Sequence, residues 1–419
     1  MDVEQLKLGD AEPKELADSL KAYRAGDLLA ALAAYPDGRA AVSDAEKVYH
    51  AALLLSVGQA SAAEREIESV NRSEPAFAVR ELIGVVKNQP SHKRSGIFTA
   101  SEWVAASYSF QAKSDLAGAL KAAKAATAQA PNFGFAWVRV AELEFSFGNT
   151  ADALSALEKG LALSPRNAQG LALKGFLLAA QGHYGPAAGQ FDQAIAIDPA
   201  LGNAWLGRGL LKFRSGHGRA GREDLQVAAT LEPNRSMLRS YLAKAFAQTW
   251  DDRHAAKELA LASKLDPNDP TPWLYSALLA EQQNRPNDAI ADLEKSKQLN
   301  DNRSVFRSRL LLDQDQAVRG ANLAAIYRDA GMADVSVQEA ARAVNYDYAN
   351  FSSHLFLSSS FDALRDPKSI NLRYETAWYS ELLLANLHAP VGGGNLSQNV
   401  SQQEYAQLFE GRHHGIFSA

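Results

Sequence analysis

Pro131, Pro165, Pro199, Pro233 and Pro267 follow one another at a spacing of 34 residues, and Asp301 occupies the next step. A fixed period of this size marks a repeat array, in which each unit stacks only on its neighbours. It sets aside the roughly two to four independent globular domains that the length alone would suggest. The residues before the prolines are Ala130, Ser164, Asp198, Glu232 and Asp266. A residue that precedes proline is driven out of the helical region, so each pair is expected to end a helix. Proline also suits the first turn of the next helix, where it is expected here.

Other columns keep the same step. Trp103, Trp137, Leu171, Trp205 and Trp273 share one position, which Arg239 interrupts. Small residues fill three more: Ser107, Ala141, Gly175, Gly209, Ala243 and Ala277; Ala119, Ala153, Ala187, Gly221, Ala255 and Ala289; Ala126, Gly160, Ala194, Ala228, Ala262 and Ser296. Leu157, Phe191, Leu225, Leu259 and Leu293 form a bulky column. A turn column holds Gly148, Gly182 and Gly216, with Ser114, Trp250 and Asn284 in the other copies. The pattern reads as two helices per repeat. The small residues let the helices approach, and the turn residue reverses the chain. Trp250-Asp251-Asp252 departs from the turn pattern and predicts a reshaped turn there. Pro270-Thr271-Pro272 predicts a sharp helix start.

These columns resemble the tetratricopeptide repeat family, whose usual pattern is Trp, Leu-Gly, Tyr, Ala, Phe, Ala, Pro. The resemblance implies an all-α, right-handed superhelical solenoid of helix–turn–helix repeats. Residues 98–301 carry six regular copies. Residues 1–97 read as degenerate helical repeats, with Ala51, Leu54, Gly58, Ala63 and Ile67 in one and Ser19, Tyr23, Gly26, Leu29 and Leu32 in half of another. Residues 302–365 read as an insertion followed by divergent repeats, resuming with Leu323, Ala324, Tyr327, Gly331, Ala340 and Ala343. Residues 366–419 form a non-repeat segment, with Ser401 and Glu404 spaced as a capping box. From Asn371 to Phe409 this segment resembles the junction that precedes an outer-membrane β-barrel in bacterial envelope proteins. That resemblance implies a periplasmic or cell-envelope arm of a longer protein. The start, Met1-Asp2-Val3-Glu4, is not a signal peptide. It suits either a cytoplasmic protein or a chain that begins after a removed leader.

No cysteine is present, which excludes thiolate metal sites, disulfides and a cysteine nucleophile. No stretch of apolar residues reaches the length of about 18 that a membrane helix needs, so no direct membrane insertion is expected. His413-His414 reads as a solvated pair, because adjacent histidines rarely chelate together. Gly392-Gly393-Gly394 lacks the following lysine of a phosphate loop. No nucleophile elbow or paired-carboxylate motif stands out, so neither catalysis nor a cofactor or metal is expected.

A net charge of −5 points away from nucleic acid. The total hides a basic middle. Between residues 200 and 245, Arg208, Lys212, Arg214, Arg219, Arg222, Arg235, Arg239 and Lys244 outnumber Glu223, Asp224 and Glu232 by five. A solvated helix face explains this stretch, and a docking stripe for an anionic polymer is the alternative.

In the family the first helix of each repeat lines the concave surface. Placed on this sequence, that rule gives a partner groove of Tyr108, Phe135, Val138, Glu142, Phe145, Phe176, Asn203, Leu206, Leu210, Phe213, Arg214, Lys244 and Gln248. Some of these belong to the core between repeats instead. A continuous apolar surface marks a binding site, so the expected function is a non-catalytic scaffold that holds a peptide or protein segment. The alternative is the periplasmic arm of an export or uptake system handling a polymer or an assembly partner.

Overall fold

The computed structural model describes residues 1–9, 11–70, 74–87, 89, 98–113, 115–299, 309–348, 353–354, 356–358 and 360. Several sequence-based expectations lie outside them: the turn residue Ser114, the insertion over 302–308, and the segment 366–419 with its glycine loop, Ser401–Glu404 pair and His413-His414. The described residues are helical, with no strand.

The chain divides into two compact units, the first holding Met1–Leu178 and Gly185–Ala204, the second Ala179–Tyr184 and the described residues from Trp205 onward. The first unit opens with α1 (Glu12–Glu15), α2 (Ala17–Ala25), α3 (Leu28–Ala33), α4 (Asp44–Ser56), α5 (Ala60–Glu68) and α6 (Glu74–Val86). The regular repeats follow with α7 (Ala100–Ala112), α8 (Leu116–Gln129), α9 (Gly134–Ser146), α10 (Thr150–Leu163), α11 (Ala168–Ala180) and α12 (Tyr184–Ile197). The second unit is built on α13 (Gly202–Arg214), α14 (Gly218–Leu231), α15 (Ser236–Gln248), α16 (Asp252–Leu265), α17 (Thr271–Gln282), α18 (Pro286–Gln298), α19 (Arg309–Asp329) and α20 (Ala333–Tyr346).

The small columns lie at the helix crossings. Ala119, Ala141, Ala153, Ala187, Ala194, Ala255, Ala277 and Ala289 are fully buried. The approach is closest at Gly209 and Gly221. A β-carbon on Gly221 would stand 2.8 Å from the Gly209 carbonyl oxygen and 2.6 Å from the Phe213 ring. The bulky column fills the space left beside these crossings, with Leu157, Phe191, Leu225 and Leu293 buried against them.

The turns share one backbone geometry. Gly148, Gly182, Gly216 and Gly331 have φ between 78° and 80°, the left-handed region that reverses the chain after a helix. Trp250 and Asn284 adopt the same region, at φ 63° and 55°. The turn at Trp250 is therefore kept rather than reshaped, and the expectation is corrected. The register of α15 against α16 fixes the turn, and tryptophan bears the strain. Its side chain is 93% exposed.

The prolines also sit differently from expectation. Each lies in the loop, with α9, α11, α13 and α15 starting three residues after it. The preceding helices end on Ala130, Ser164 and Glu232, whose N–H groups donate to the carbonyls of Ala126, Gly160 and Ala228. The loop proline carbonyl is used as an acceptor. Trp137 Nε1 donates to Pro131 O at 2.8 Å, and Arg239 Nε donates to Pro233 O at 3.0 Å. Arg239 thus makes the hydrogen bond that Trp137 makes at the same column position, and it also pairs with Glu258 at 3.0 Å. α17 begins at Thr271-Pro272, as the double proline predicts. In α19 the chain runs unbroken from Arg309, so the latter part of the expected insertion continues directly into the helix that resumes the repeat.

Two stability measurements follow. Gly221→Val should lower the stability by about 1–3 kcal/mol, since an overpacked crossing must separate. Trp250→Gly should melt no lower than the parent: it relieves a left-handed cost of roughly 1–2 kcal/mol against a smaller unfolded-state entropy gain. Thermal unfolding followed by circular dichroism reads both.

Candidate functional site

The first unit carries an open cavity of about 410 Å³. Its walls come from the turn between α2 and α3 and from α4, α6, α7, α9 and the start of α11. Most of the lining is apolar: Leu28, Leu29, Leu55, Val79, Leu82, Val104, Phe133, Phe135 and Val138. The polar exceptions include Tyr108, Arg139, Glu142, Asn167, Gln169 and Asp198. An apolar hollow with a few fixed polar groups is the usual form of a ligand or side-chain receptor.

Arg139 organises the polar part. Its residue is 2% exposed. The guanidinium donates to Glu142 at 2.7 Å, to Gln111 Oε1 at 2.6 Å and to Ser107 Oγ at 3.0 Å. It also lies over the Tyr108 ring, 4.0 Å from the centroid. A buried charge is tolerated when it is paired and hydrogen-bonded in this way. Burial raises the Tyr108 hydroxyl above its ordinary pKa, while Arg139 pulls it the other way. Ser107 is a member of a small-residue column, so the repeat pattern itself makes room for the arginine.

The opposite wall is held by contacts across most of the unit. Tyr23 packs on Phe135 with ring centroids 5.2 Å apart. Arg166 pairs with Asp27 at 2.8 Å. Asp198 is held above the usual carboxylate range by burial and by the nearby Asp27 charge, against the opposing hydrogen bond from the Ala200 N–H.

Four of the sequence-predicted groove residues meet here: Tyr108, Phe135, Val138 and Glu142 line the cavity. Val138 and Glu142 are buried, and Phe135 is half-buried. The other predicted residues of this unit do not line it. Phe145 is half-buried against the core of α9 and α10. Phe176 packs edge-on against Phe191 at 5.0 Å, and Asn203 is buried.

In the second unit the expected groove is corrected. Leu206, Leu210 and Phe213 are buried, Phe213 being 4% exposed. The Phe213 ring occupies the space that a β-carbon on Gly221 would need, 2.6 Å away. Arg214 lies over the Tyr184 ring at 4.1 Å, and Lys244 over Tyr275 at 5.8 Å. Gln248 is half-buried at the end of α15. The basic stretch is largely compensated in place. Arg208 holds Asp224 through two hydrogen bonds of 2.9 Å, and Lys212 meets the same carboxylate at 2.7 Å. Arg219 pairs with Glu223, Arg235 with Glu232 and Arg239 with Glu258.

Sequence reasoning missed Arg139, Tyr23, Asp27 and Arg166. Arg139 carried a signal, being the one base in the otherwise apolar and acidic helix Gly134–Ser146. The other three meet over separations of more than 100 residues, which no local pattern records. Among the described residues, no three His, Asp or Glu side chains gather as a metal site, and no helix is long and apolar enough to cross a membrane.

No family model matches the chain, and no curated protein matches it. Solved structures similar to it include a tetratricopeptide repeat protein from Parabacteroides merdae, at 16% identity and a TM-score of 0.43, covering 62% of this chain and 98% of that one. Another is the Cut9–Hcn1 hetero-tetramer of APC/C, at 13% identity and 0.44, covering 95% and 97%. A third is a thermophilic tetratricopeptide repeat protein of Thermus thermophilus, at 21% identity and 0.39, covering 43% and 99%.

Removing Arg139 would leave Glu142 buried with only a 3.5 Å contact from Gln169. Arg139→Ala should therefore cost about 3–5 kcal/mol by chemical denaturation, and adding Glu142→Ala should recover part of the loss. Asp198→Asn should melt higher than the parent near neutral pH, because the ionised carboxylate is the disfavoured form in the folded chain. The sign follows from a raised folded pKa: the penalty exists above that value, shrinks as pH falls through it, and is gone below the unfolded value of 3.8. Melting curves from neutral pH to below 3.8 check both the sign and the window.

Proposed function

We propose that the chain is a non-catalytic protein-interaction scaffold, and that it holds an extended or helical segment of a partner with an apolar side chain inserted into the cavity of the first unit. The observation that carries this reading is the apolar hollow of Tyr108, Phe135 and Val138 beside the fixed Arg139–Glu142 pair. Such a pocket rewards a side chain through burial, at about 25 cal/mol per Å² of apolar surface. Its buried polar pair sets the orientation. Anionic polymers are a poorer fit, because Arg208, Lys212, Arg235 and Arg239 of the basic stretch are already held by Asp224, Glu232 and Glu258.

The test is a peptide-library selection on the purified full chain, followed by titration of the winning peptides. They should share an aromatic or large aliphatic residue. They should lose at least tenfold in affinity on Phe135→Ala while the melting profile stays cooperative, and they should bind almost equally at low and high salt. Polyglutamate in the same titration should bind weakly. Selected peptides that ignore Phe135→Ala, or polyglutamate that outcompetes them at low salt, would reject the assignment.

A further inference from the structure

Phe135 of α9 and the loop between α10 and α11, at one side of the cavity, already have an occupant. Five consecutive residues at the end of α2, Tyr23 to Asp27, supply most of its contacts, and the Asp2 N–H adds one by donating to Ser101 Oγ of α7 at 2.9 Å. The Tyr23 ring rests on Phe135 at 5.2 Å. The Arg24 carbonyl accepts from Ser164 Oγ at 2.9 Å, and the Ala25 carbonyl accepts from the Arg166 N–H at 2.7 Å. Gly26 sits in the left-handed region at φ 92°, so close to Asn167 that a β-carbon would stand 2.7 Å from its backbone nitrogen. The Asp27 carboxylate accepts from Arg166 Nε at 2.9 Å. An aromatic ring, two carbonyls, a glycine and a carboxylate thus fill successive subsites along the rim of the cavity that the proposed function assigns to a partner, with Tyr23 and Gly26 reaching its lining.

We infer that the α2–α3 turn is an intramolecular occupant of the groove, and that it displays the chemistry of the partner it excludes. That partner is a protein segment with an aromatic residue followed four positions later by a carboxylate, with a glycine between them. The inference rests on the groove reading above and deepens it. Tyr23 also belongs to the core of this unit, packing edge-on against Tyr49 at 5.6 Å, but the contacts of the next four residues have the form of segment recognition. The carbonyls of a turn are matched by donors, the carboxylate by a guanidinium, and the glycine by a backbone too close for any side chain. The cavity beside Tyr23 leaves room for a larger side chain than the resident turn supplies. A tethered occupant of this kind acts at an effective concentration of about millimolar, so a free segment displaces it only when it binds better or when the turn is loosened.

The experiment uses the full chain and a fluorescent synthetic peptide copying residues 17–33, with a control peptide carrying Tyr23→Ala and Asp27→Asn. Two variants loosen the turn in different ways. Asp27→Asn keeps the helix cap that the Asp27 side chain gives to the Ala30 N–H and removes the ion pair. Gly26→Ala leaves every charge in place and forces the turn off Asn167. Hydrogen exchange at the Arg166 amide, which is bonded to the Ala25 carbonyl, reports opening, and circular dichroism reports whether each variant remains folded. In either variant, amide exchange at Arg166 should rise at least threefold. The copied peptide should bind at least tenfold more tightly than to the parent, and the control peptide should not. Adding Arg166→Asp to Asp27→Asn should abolish the gain. Exchange at Arg166 that rises only with global unfolding would overturn the inference and leave the groove reading standing. Faster exchange with no gain in peptide binding would overturn both.

Discussion

Everything in this chain depends on how closely two helices can cross. Alanine, glycine or serine recurs at each crossing, and the pair Gly209 and Gly221 brings two backbones to within reach of one another. Close crossing removes the need for large side chains between paired helices. It leaves room beside each crossing for one bulky residue, and Leu157, Phe191, Leu225 and Leu293 are buried there, Phe191 against Gly175 and Leu225 against Gly209 of the paired helix. The same spacing fixes the turn between paired helices so firmly that a tryptophan is held in a left-handed conformation at Trp250, fully in view of solvent. Local strain is borne where the surrounding packing over-determines the backbone.

The space saved at a crossing becomes functional in the first unit. Ser107 occupies a small-residue column, and its hydroxyl receives Arg139. A larger residue there would leave no room for the guanidinium, and Glu142 would lose its charged partner. Glu46 shows the same economy elsewhere in that unit. Burial acts to raise its pKa, but Arg39, the Val42 N–H and the Tyr35 hydroxyl overcome that and leave it lowered. Of the charges counted as a basic stripe in the second unit, Arg208, Lys212, Arg219, Arg235 and Arg239 are matched by carboxylates, while Arg214 and Lys244 lie over aromatic rings.

The repeat was legible because it is a local, periodic property. Prolines, small residues and turn glycines each recur at one spacing, and the helices fall where those columns put them. Two details were misread for a physical reason. Proline can serve the first turn of a helix, but here it stays in the loop, where the Pro131 and Pro233 carbonyls accept from Trp137 and Arg239. Arg239 looked like a break in the tryptophan column, yet it supplies the same donor. The groove was legible only in part. Which face of a first helix is open depends on what packs against it. Phe213 is taken by Gly221, and Phe135 by Tyr23. The turn at Tyr23–Asp27 meets residues 139 and 140 positions away, and only the folded chain brings them together.

The central claim is that a partner segment enters the hollow of the first unit rather than docking on an outer helix face. The most direct measurement is photo-crosslinking of a library-selected peptide to chains carrying benzoylphenylalanine in place of Leu82, on the cavity wall, or of Lys257, on the exposed side of α16. Crosslinking at position 82 alone, suppressed by excess unlabelled peptide, is the result predicted. Crosslinking at position 257 with none at position 82 would contradict it.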